Sequence, residues 1–321
     1  MQQIMIKENE AGQRLDKMLA KYLNEAPKSF LYKMLRKKNI TLNGKKAAGN
    51  EILSCGDEVK LFLSDETIAR FSSSLVQYTK EKLDILYEDE NILLINKPAG
   101  MLSQKASDSD ESVVEHLITY LLTSGQLKEQ DLKTFKPSVC NRLDRNTSGM
   151  IAAGKSLAGL QELSRLFQNR TLEKYYLCLV EGDIAEPTRI CGYLKKDAKT
   201  NQVTITAGET ADASAIETEY RPLKRGEDTT LLEVHLITGK THQIRAHLAS
   251  QGHPVIGDYK YGNRRNNDRY QKAYGLKYQL LHAYRLVFPG LEGALSNLSG
   301  KEFTAPLPEE FRKIAADKGV L

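Results

Sequence analysis

The chain has 321 residues, 40% hydrophobic and 27% charged, with a formal net charge of +5; that length can bury a sizeable core and leaves room for one large unit beside a small one. No apolar run approaches 18 residues and no signal-peptide pattern opens the chain, so it reads as cytoplasmic, with no membrane partner. Cys55, Cys140, Cys178 and Cys191 lack CxxC spacing, which points away from a disulfide framework or a thiolate zinc site and toward reduced thiols, most of them in the core.

The charge is unevenly placed. Residues 1–64 hold 12 Lys/Arg against 7 Asp/Glu, so the whole surplus lies in the first fifth and the remainder is balanced at 34 of each. Such a segment suits an anionic macromolecule such as RNA; a merely solvated basic face is the competing reading. Within it, Leu15, Met18, Leu19 and Tyr22, then Phe30, Leu31, Met34 and Leu35, have helical spacing. "NITLNGKK" follows as a strand with a turn at Asn43-Gly44, and "GDEVKLFL" as a closing strand. The second helix therefore ends in Arg36, Lys37 and Lys38 beside a turn carrying Lys45 and Lys46. Residues 65–82 contain a Ser run without sustained periodicity and read as a linker.

From residue 83 onward, strand and helix patterns are mixed. "LDILYEDENILLINKPAG" predicts two short strands around a polar turn. "SVVEHLITYLL" and "SLAGLQELSRLFQNR" predict helices, the second with a core stripe of Leu157, Leu160, Leu163, Leu166 and Phe167. "EKYYLCLVEG", "TNQVTITAG", "SAIETEYRPL" and "TLLEVHLIT" are β-branched or Tyr-rich strand patterns. Several strands follow one another with no helix between them, which favours antiparallel pairing over a doubly wound sheet. The class is α+β.

Two stretches concentrate chemistry. In "NRLDRNTSGM", residues 141–150, Asp144 stands between Arg142 and Arg145, before a Thr147-Ser148-Gly149 run that reads as a turn. If the stretch is extended, Arg142 and Asp144 share a face, and a guanidinium beside a carboxylate favours its charged form. A structural ion pair and an activated acid both fit that pattern. In "TGKTHQIRAHLASQGHPVIGDYKYG", residues 238–262, a helix is predicted with Thr241 as N-cap, dense in the polar residues Gln243, Arg245 and His247. His242 and His247 are five apart, about 140° around a helix, which does not suit one metal ion; no metal site is expected. Tyr175 and Tyr176 alternate faces, so one of the two is core. Lys174 and Lys240 read as solvated, and residues 263–272 as a polar basic loop.

Taken together, "VCNRLDRNTSGM", "EKYYLCLVEG", "TGKTHQIRAHLASQGHPVIGD", "LLHAYRL" and "FTAPLP", preceded by "EDENILLINKPAG", resemble the RluA family of RNA pseudouridine synthases, and its large-subunit members most. Residues 12–64, with Arg14-Leu15-Asp16, "PKS", Asn43-Gly44 and Gly56-Asp57, resemble the small alpha-L RNA-binding module. The resemblance implies an alpha-L domain over 1–64 and a largely antiparallel pseudouridine synthase catalytic domain over 83–321. It implies Asp144 as catalytic aspartate, Arg245 as its partner, and Tyr176 as the ring that stacks on the target uracil. It further implies Arg142 as the residue filling the space of the extruded base and Leu281 as an apolar contact in the substrate pocket. Lys28, Arg36, Lys37, Lys38, Lys45 and Lys46 become the RNA-binding cations. Ribosomal RNA is the implied partner, without cofactor or metal, and the chain reads as a monomer. A non-catalytic RNA-binding or ribosome-assembly factor on the same fold is the alternative; a retired site has no reason to keep Asp144, Tyr176 and Arg245 together. The chain departs from the family at Asn141, where many members have His before R-L-D, which puts the geometry of the substrate loop in question.

Overall fold

The computed structural model describes residues 1–73, 76, 78–80, 82–197, 200, 202–206, 208, 210 and 212–321. The apolar spacing of the first part of the chain forms β1 (Gln2–Met5), α1 (Leu15–Tyr22), α2 (Lys28–Arg36), β2 (Ile40–Leu42), β3 (Lys45–Lys46) and β4 (Glu58–Leu61). The strands make a small sheet ordered β1-β4-β2-β3. Leu15, Met18 and Leu19 of α1 and Leu31 and Leu35 of α2 meet Ile40, Val59 and Leu61 in one core. Each such side chain, once buried, contributes about 1.5–3 kcal/mol. The edge strand β1 carries too few residues for a pattern and was not expected from sequence.

The expected linker over 65–82 is corrected at its start. Residues Asp65–Phe71 form α3, capped by Ser64, whose side chain accepts the Thr67 amide at 3.2 Å. Ile68 is buried in the first core, and Phe71 packs on Phe30 with ring centroids 4.7 Å apart. Two apolar residues at i, i+3 were too few to stand out beside the Ser run. Part of the expected linker, residues 74, 75, 77 and 81, lies outside the described residues.

The rest of the chain builds an 11-stranded sheet. In chain order it contains β5 (Ile85–Glu88), β6 (Ile92–Lys97), α4 (Val113–Thr123), β7 (Ser138–Val139), β8 (Ser148–Gly154), α5 (Leu157–Asn169) and β9 (Glu173–Glu181). There follow β10 (Thr188–Lys196), β11 (Val203–Thr206), β12 (Ala213–Arg225), β13 (Thr229–Leu236), α6 (Gln243–Ser250), α7 (Arg264–Tyr274), β14 (Leu281–Val287), β15 (Glu302–Thr304) and α8 (Glu309–Asp317). The strand order is β11-β10-β12-β13-β9-β14-β8-β6-β5, with β15 on β14 and β7 on β8. Of the pairings between these strands only β14 with β8 is parallel, in keeping with the antiparallel-rich α+β class read from sequence. Helices α4 and α6 cover one face, through Leu117, Ile118, Ile244 and Leu248. Helix α5 covers the other, through Leu163 and Leu166. The run Ser148–Gly154 is buried throughout, as a strand covered on both faces must be.

Three expectations change here. Residues 263–272 are not a loop: Asn263 caps α7, and Asn267 and Tyr270 are its buried stripe, a periodicity carried by Tyr and Asn in place of aliphatic residues. Of the four free thiols only Cys178 is buried, while Cys55 and Cys191 are exposed. Lys174 is 8% exposed, because it points from β9 into the covered side of the sheet; burial, together with the nearby charge of Arg170, lowers its pKa. The small unit meets the large one through polar contacts at Thr134 and at helix α5. Thr134 Oγ1 donates to Glu10 Oε1 at 2.7 Å, Gln13 Nε2 to the Thr134 carbonyl at 3.3 Å, and Gln161 Nε2 to the Gly12 carbonyl at 3.2 Å.

Candidate active site

Asp144 sits on the short connection from β7 to β8, and nearly every neighbour in that connection is tied down. Leu143 is buried, its amide donating to Ser103 Oγ at 3.0 Å while that hydroxyl donates to the Leu143 carbonyl at 2.8 Å. The turn closes through the Thr147 amide and the Asp144 carbonyl at 3.0 Å. It therefore lies at Arg145-Asn146, earlier than the Thr147-Ser148-Gly149 run expected from sequence, and Ser148 already belongs to β8. Ser148 Oγ bonds His282 Nδ1 at 2.9 Å, and Gln279 Nε2 donates to Thr147 Oγ1 at 2.9 Å, so β14 and the residues before it grip the turn from behind. Gly149 makes the grip close: its φ is +114°, and a Cβ there would stand 2.2 Å from the Ala283 carbonyl oxygen, a place only glycine can fill. Asn141 serves this frame as well. Its Oδ1 accepts the Ala152 amide at 2.8 Å and its Nδ2 donates to the Met150 carbonyl at 3.3 Å.

Lys97, at the end of β6, is fully buried. Its Nζ donates to the carbonyls of Pro98 and Met101 at 2.9 Å and of Arg145 at 3.1 Å. Burial pushes its pKa down to about 7, against the charge of Asp144, which raises it. Three carbonyls offer an acceptor to every N–H of an ammonium, so the cage and Asp144 oppose the loss of charge that burial favours.

The partner of Asp144 comes from α6. Arg245 Nη1 donates to Asp144 Oδ2 at 2.8 Å, while Nε and Nη2 make a bidentate pair with Asp258 Oδ2 and Oδ1 at 2.7 and 2.8 Å. The Asp258 side chain is 1% exposed and that of Arg245 8%. The Asp258 carboxylate also accepts the amides of Lys260 at 2.9 Å and Tyr261 at 3.3 Å through Oδ1. Burial alone would lower the Arg245 pKa, but the hydrogen bonds and charges of Asp258 and Asp144 outweigh it and raise it. A permanent cation is thus braced by one buried carboxylate and aimed at a second, more accessible one. The guanidinium also lies 5.2 Å from the centroid of the Tyr261 ring.

Helix α6 starts one residue later than expected. The N-cap is His242 at φ 55°, not Thr241, and no side chain caps the helix. The polar density of this helix is accounted for by partners: Gln243 Nε2 donates to the Glu217 carbonyl at 2.9 Å, Thr238 Oγ1 donates to Gln243 Oε1 at 2.8 Å, and His247 Nδ1 bonds Thr218 Oγ1 at 2.9 Å.

Tyr176 lies on β9 between Val234 of β13 and Ala283 of β14. It is buried, in one core with Leu281, whose neighbour across the strands is Cys178. Burial and then the charge of Asp144 push the Tyr176 phenol pKa up, so it keeps its proton at neutral pH. Tyr175 takes the opposite face, stacked on His235 with centroids 4.7 Å apart and under Arg285 at 3.9 Å.

The structure thus brings Asp144, Arg245 and Tyr176 into one neighbourhood, and Leu281 belongs to the same core as Tyr176. Arg142 is exposed and forms no ion pair among the described residues; residues 142–144 belong to no strand, and Leu143 between the two is buried while Asp144 is half-buried. Lys28, Arg36, Lys37, Lys38, Lys45 and Lys46 are all exposed in the small unit. Sequence reading did not single out Asp258, His242, Tyr261 or Lys97 as members of the site. For Asp258 a signal existed: an arginine at a buried helix position needs more negative charge than one substrate-facing acid supplies.

A model of the RNA pseudouridylate synthase family matches residues 91–250, from the start of β6 to the end of α6. Ribosomal large subunit pseudouridine synthase C of Vibrio vulnificus is 30% identical over 96% of this chain and 94% of its own. An uncharacterized RNA pseudouridine synthase of Mycoplasma genitalium is 33% identical over 94% of both. Among solved structures, human RNA pseudouridylate synthase domain containing 4 has a TM-score of 0.57 at 22% identity, covering 72% of this chain and 91% of that one; this likeness concerns the fold. The class is that of the isomerases that rearrange a base within RNA. Within that class, the chain belongs to the RNA pseudouridine synthase family.

Proposed function

We propose that the protein converts uridine to pseudouridine in large-subunit ribosomal RNA, acting as a cytoplasmic monomer with Asp144 as the catalytic aspartate. The observation that carries the reading is the chain of charges Asp258–Arg245–Asp144, which ends on a carboxylate held beside a buried tyrosine. Target uridines leave the RNA stack at a cost of a few kcal/mol, less in loops, and stacking on Tyr176 offsets part of it. Arg142, exposed on the segment that carries Asp144, fills the space the base vacates, and Leu281 supports the ring from the apolar side. Ionised Asp144 promotes cleavage of the bond between ribose and nitrogen 1 of the uracil. The ring turns in place and rejoins through carbon 5; the proton at carbon 5 is released, the Tyr176 oxygen relaying it by taking it up as its own hydroxyl proton leaves, and nitrogen 1 gains one. Atoms and electrons balance without an oxidant or added nucleophile, so the route needs no cofactor or metal.

Asp144→Asn keeps the shape and loses the charge. We expect tritium release from RNA labelled at carbon 5 of uridine to fall by at least about 10⁴-fold, with RNA affinity retained. Turnover by that variant at the normal rate would remove Asp144 from the reaction; no release by the unaltered protein would favour a non-catalytic RNA-binding role. Mapping pseudouridines with and without the protein decides between ribosomal and transfer RNA.

A further inference from the structure

The partners of Asp144 all lie on one of its two oxygens. Arg245 Nη1 is 2.8 Å from Oδ2, and His242 Nε2 is 3.9 Å from the same atom; no described residue bonds Oδ1. At 3.9 Å the His242 contact is electrostatic and longer than a hydrogen bond, so which ring nitrogen carries the proton decides whether it attracts or repels.

Two contacts bear on that proton. Tyr261 Oη accepts the Val203 amide at 3.0 Å and lies 2.9 Å from His242 Nδ1. Tyr261 Oη already accepts one hydrogen, and donating its own to Nδ1 completes its bonding; we take Tyr261 as donor and Nδ1 as acceptor. The hydrogen of the neutral ring is then on Nε2, facing the carboxylate. The backbone supports the same aim. His242 is one of four non-glycine residues at positive φ among the described residues, a left-handed conformation that carries a conformational cost. It turns the imidazole away from the helix it precedes and toward Tyr261 and Asp144.

We propose that His242, oriented by Tyr261, is a positioning residue for Asp144: with Arg245 it clamps Oδ2, so that Oδ1 is the oxygen presented to the nucleotide. The charged groups around the ring are Asp144 and Asp258, which favour its protonation, and Arg245 and Lys260, which oppose it. Burial, the largest influence, also opposes it and lowers the pKa of His242, so the neutral tautomer persists at neutral pH.

The proposal rests on the assignment of Asp144 as the catalytic group, and the test separates the two. The full-length protein and its His242→Phe, His242→Gln, Tyr261→Phe and Asp144→Asn variants are compared in single-turnover tritium release. The probe is total RNA labelled with 5-tritiated uridine, from cells lacking the protein. The expected result is a rate on the order of 10²-fold lower for His242→Phe, with RNA affinity within about twofold. His242→Gln, whose amide N–H can replace Nε2–H, recovers most of the rate, and Tyr261→Phe falls between. A glutamine variant as slow as the phenylalanine variant, or a His242→Phe effect confined to RNA affinity, overturns the clamp. So does a His242→Phe variant at full rate while Asp144→Asn is inactive. An active Asp144→Asn variant instead overturns the underlying assignment.

Discussion

The cations of this protein fall into two populations that differ in what surrounds them. Lys28, Arg36, Lys37, Lys38, Lys45 and Lys46 of the small unit are exposed, and none has an acidic partner among the described residues. Arg245 has an 8% exposed side chain, two carboxylates and an aromatic ring around it. Exposed unpaired charge acts at a distance, attracts polyanions in general and is screened by salt. Buried paired charge does neither; it fixes one atom with respect to another. On the proposed function the molecule separates finding RNA from acting on it, and the separation can be attacked from either side.

The largest effect is expected where the buried chain loses its brace. In Asp258→Ala, Arg245 keeps one partner, and breaking one side of a buried pair costs about 3–5 kcal/mol. The guanidinium is also freed to swing away from Asp144. Chemical denaturation should show the loss of stability, and tritium release should show turnover falling with it. A variant that keeps its stability but not its turnover would sharpen the contrast, by showing that the brace serves aim more than folding.

The two populations were not equally legible in the sequence. The exposed cations could be read from counting alone, because their surplus in residues 1–64 needs no knowledge of the fold, and the helices and strands that carry them have clean apolar spacing. The proposed catalytic triple Asp144, Tyr176 and Arg245 came only from the motifs, since Asp144 and Arg245 are 101 residues apart and meet at 2.8 Å only through sheet topology. The supports of the triple were harder still. Asp258 sits in a turn, the left-handed backbone of His242 leaves no mark on periodicity, and the lysine at 97 looks like any strand-ending charge. Helix α7 was hidden for a related reason, because Asn267 and Tyr270 fill its buried stripe in place of leucines. Residues that owe their burial to a polar partner, such as Arg245, Asp258 and Asn267, do not show in apolar spacing.

Lys97 tests the buried side more gently, through pH. In the unfolded chain its pKa is the ordinary 10.5, while burial brings it to about 7 in the fold. Between those values the unfolded state binds more protons, so stability rises with pH. The contribution is complete above about 10.5 and is lost as pH falls to about 7. Lys97→Met should flatten this slope, which amounts to a few kcal/mol over the window. It should also loosen the Arg145 carbonyl next to Asp144. Unfolding curves recorded from pH 7 to 10 on both proteins check the sign. A flat profile in the unaltered protein would mean that the three carbonyls hold the ammonium charged throughout.

The smallest effect per residue belongs to the exposed face. Replacing Lys37, Lys45 and Lys46 together by alanine should leave stability nearly unchanged, since none is in an ion pair among the described residues. Single-turnover rates at saturating RNA should also be unchanged, because these side chains belong to the small unit and not to the neighbourhood of Asp144. RNA affinity should fall, and the slope of its logarithm against the logarithm of salt concentration should drop by about 0.7 to 0.9 for each phosphate that is no longer neutralised. Substitution is the sharper tool than cutting at residue 64, which would strip Ile68 and Phe71 of the core they pack on. An unchanged salt slope would mean that the basic face does not touch RNA, whereas a fall in the saturated rate would mean that the two populations of charge act together.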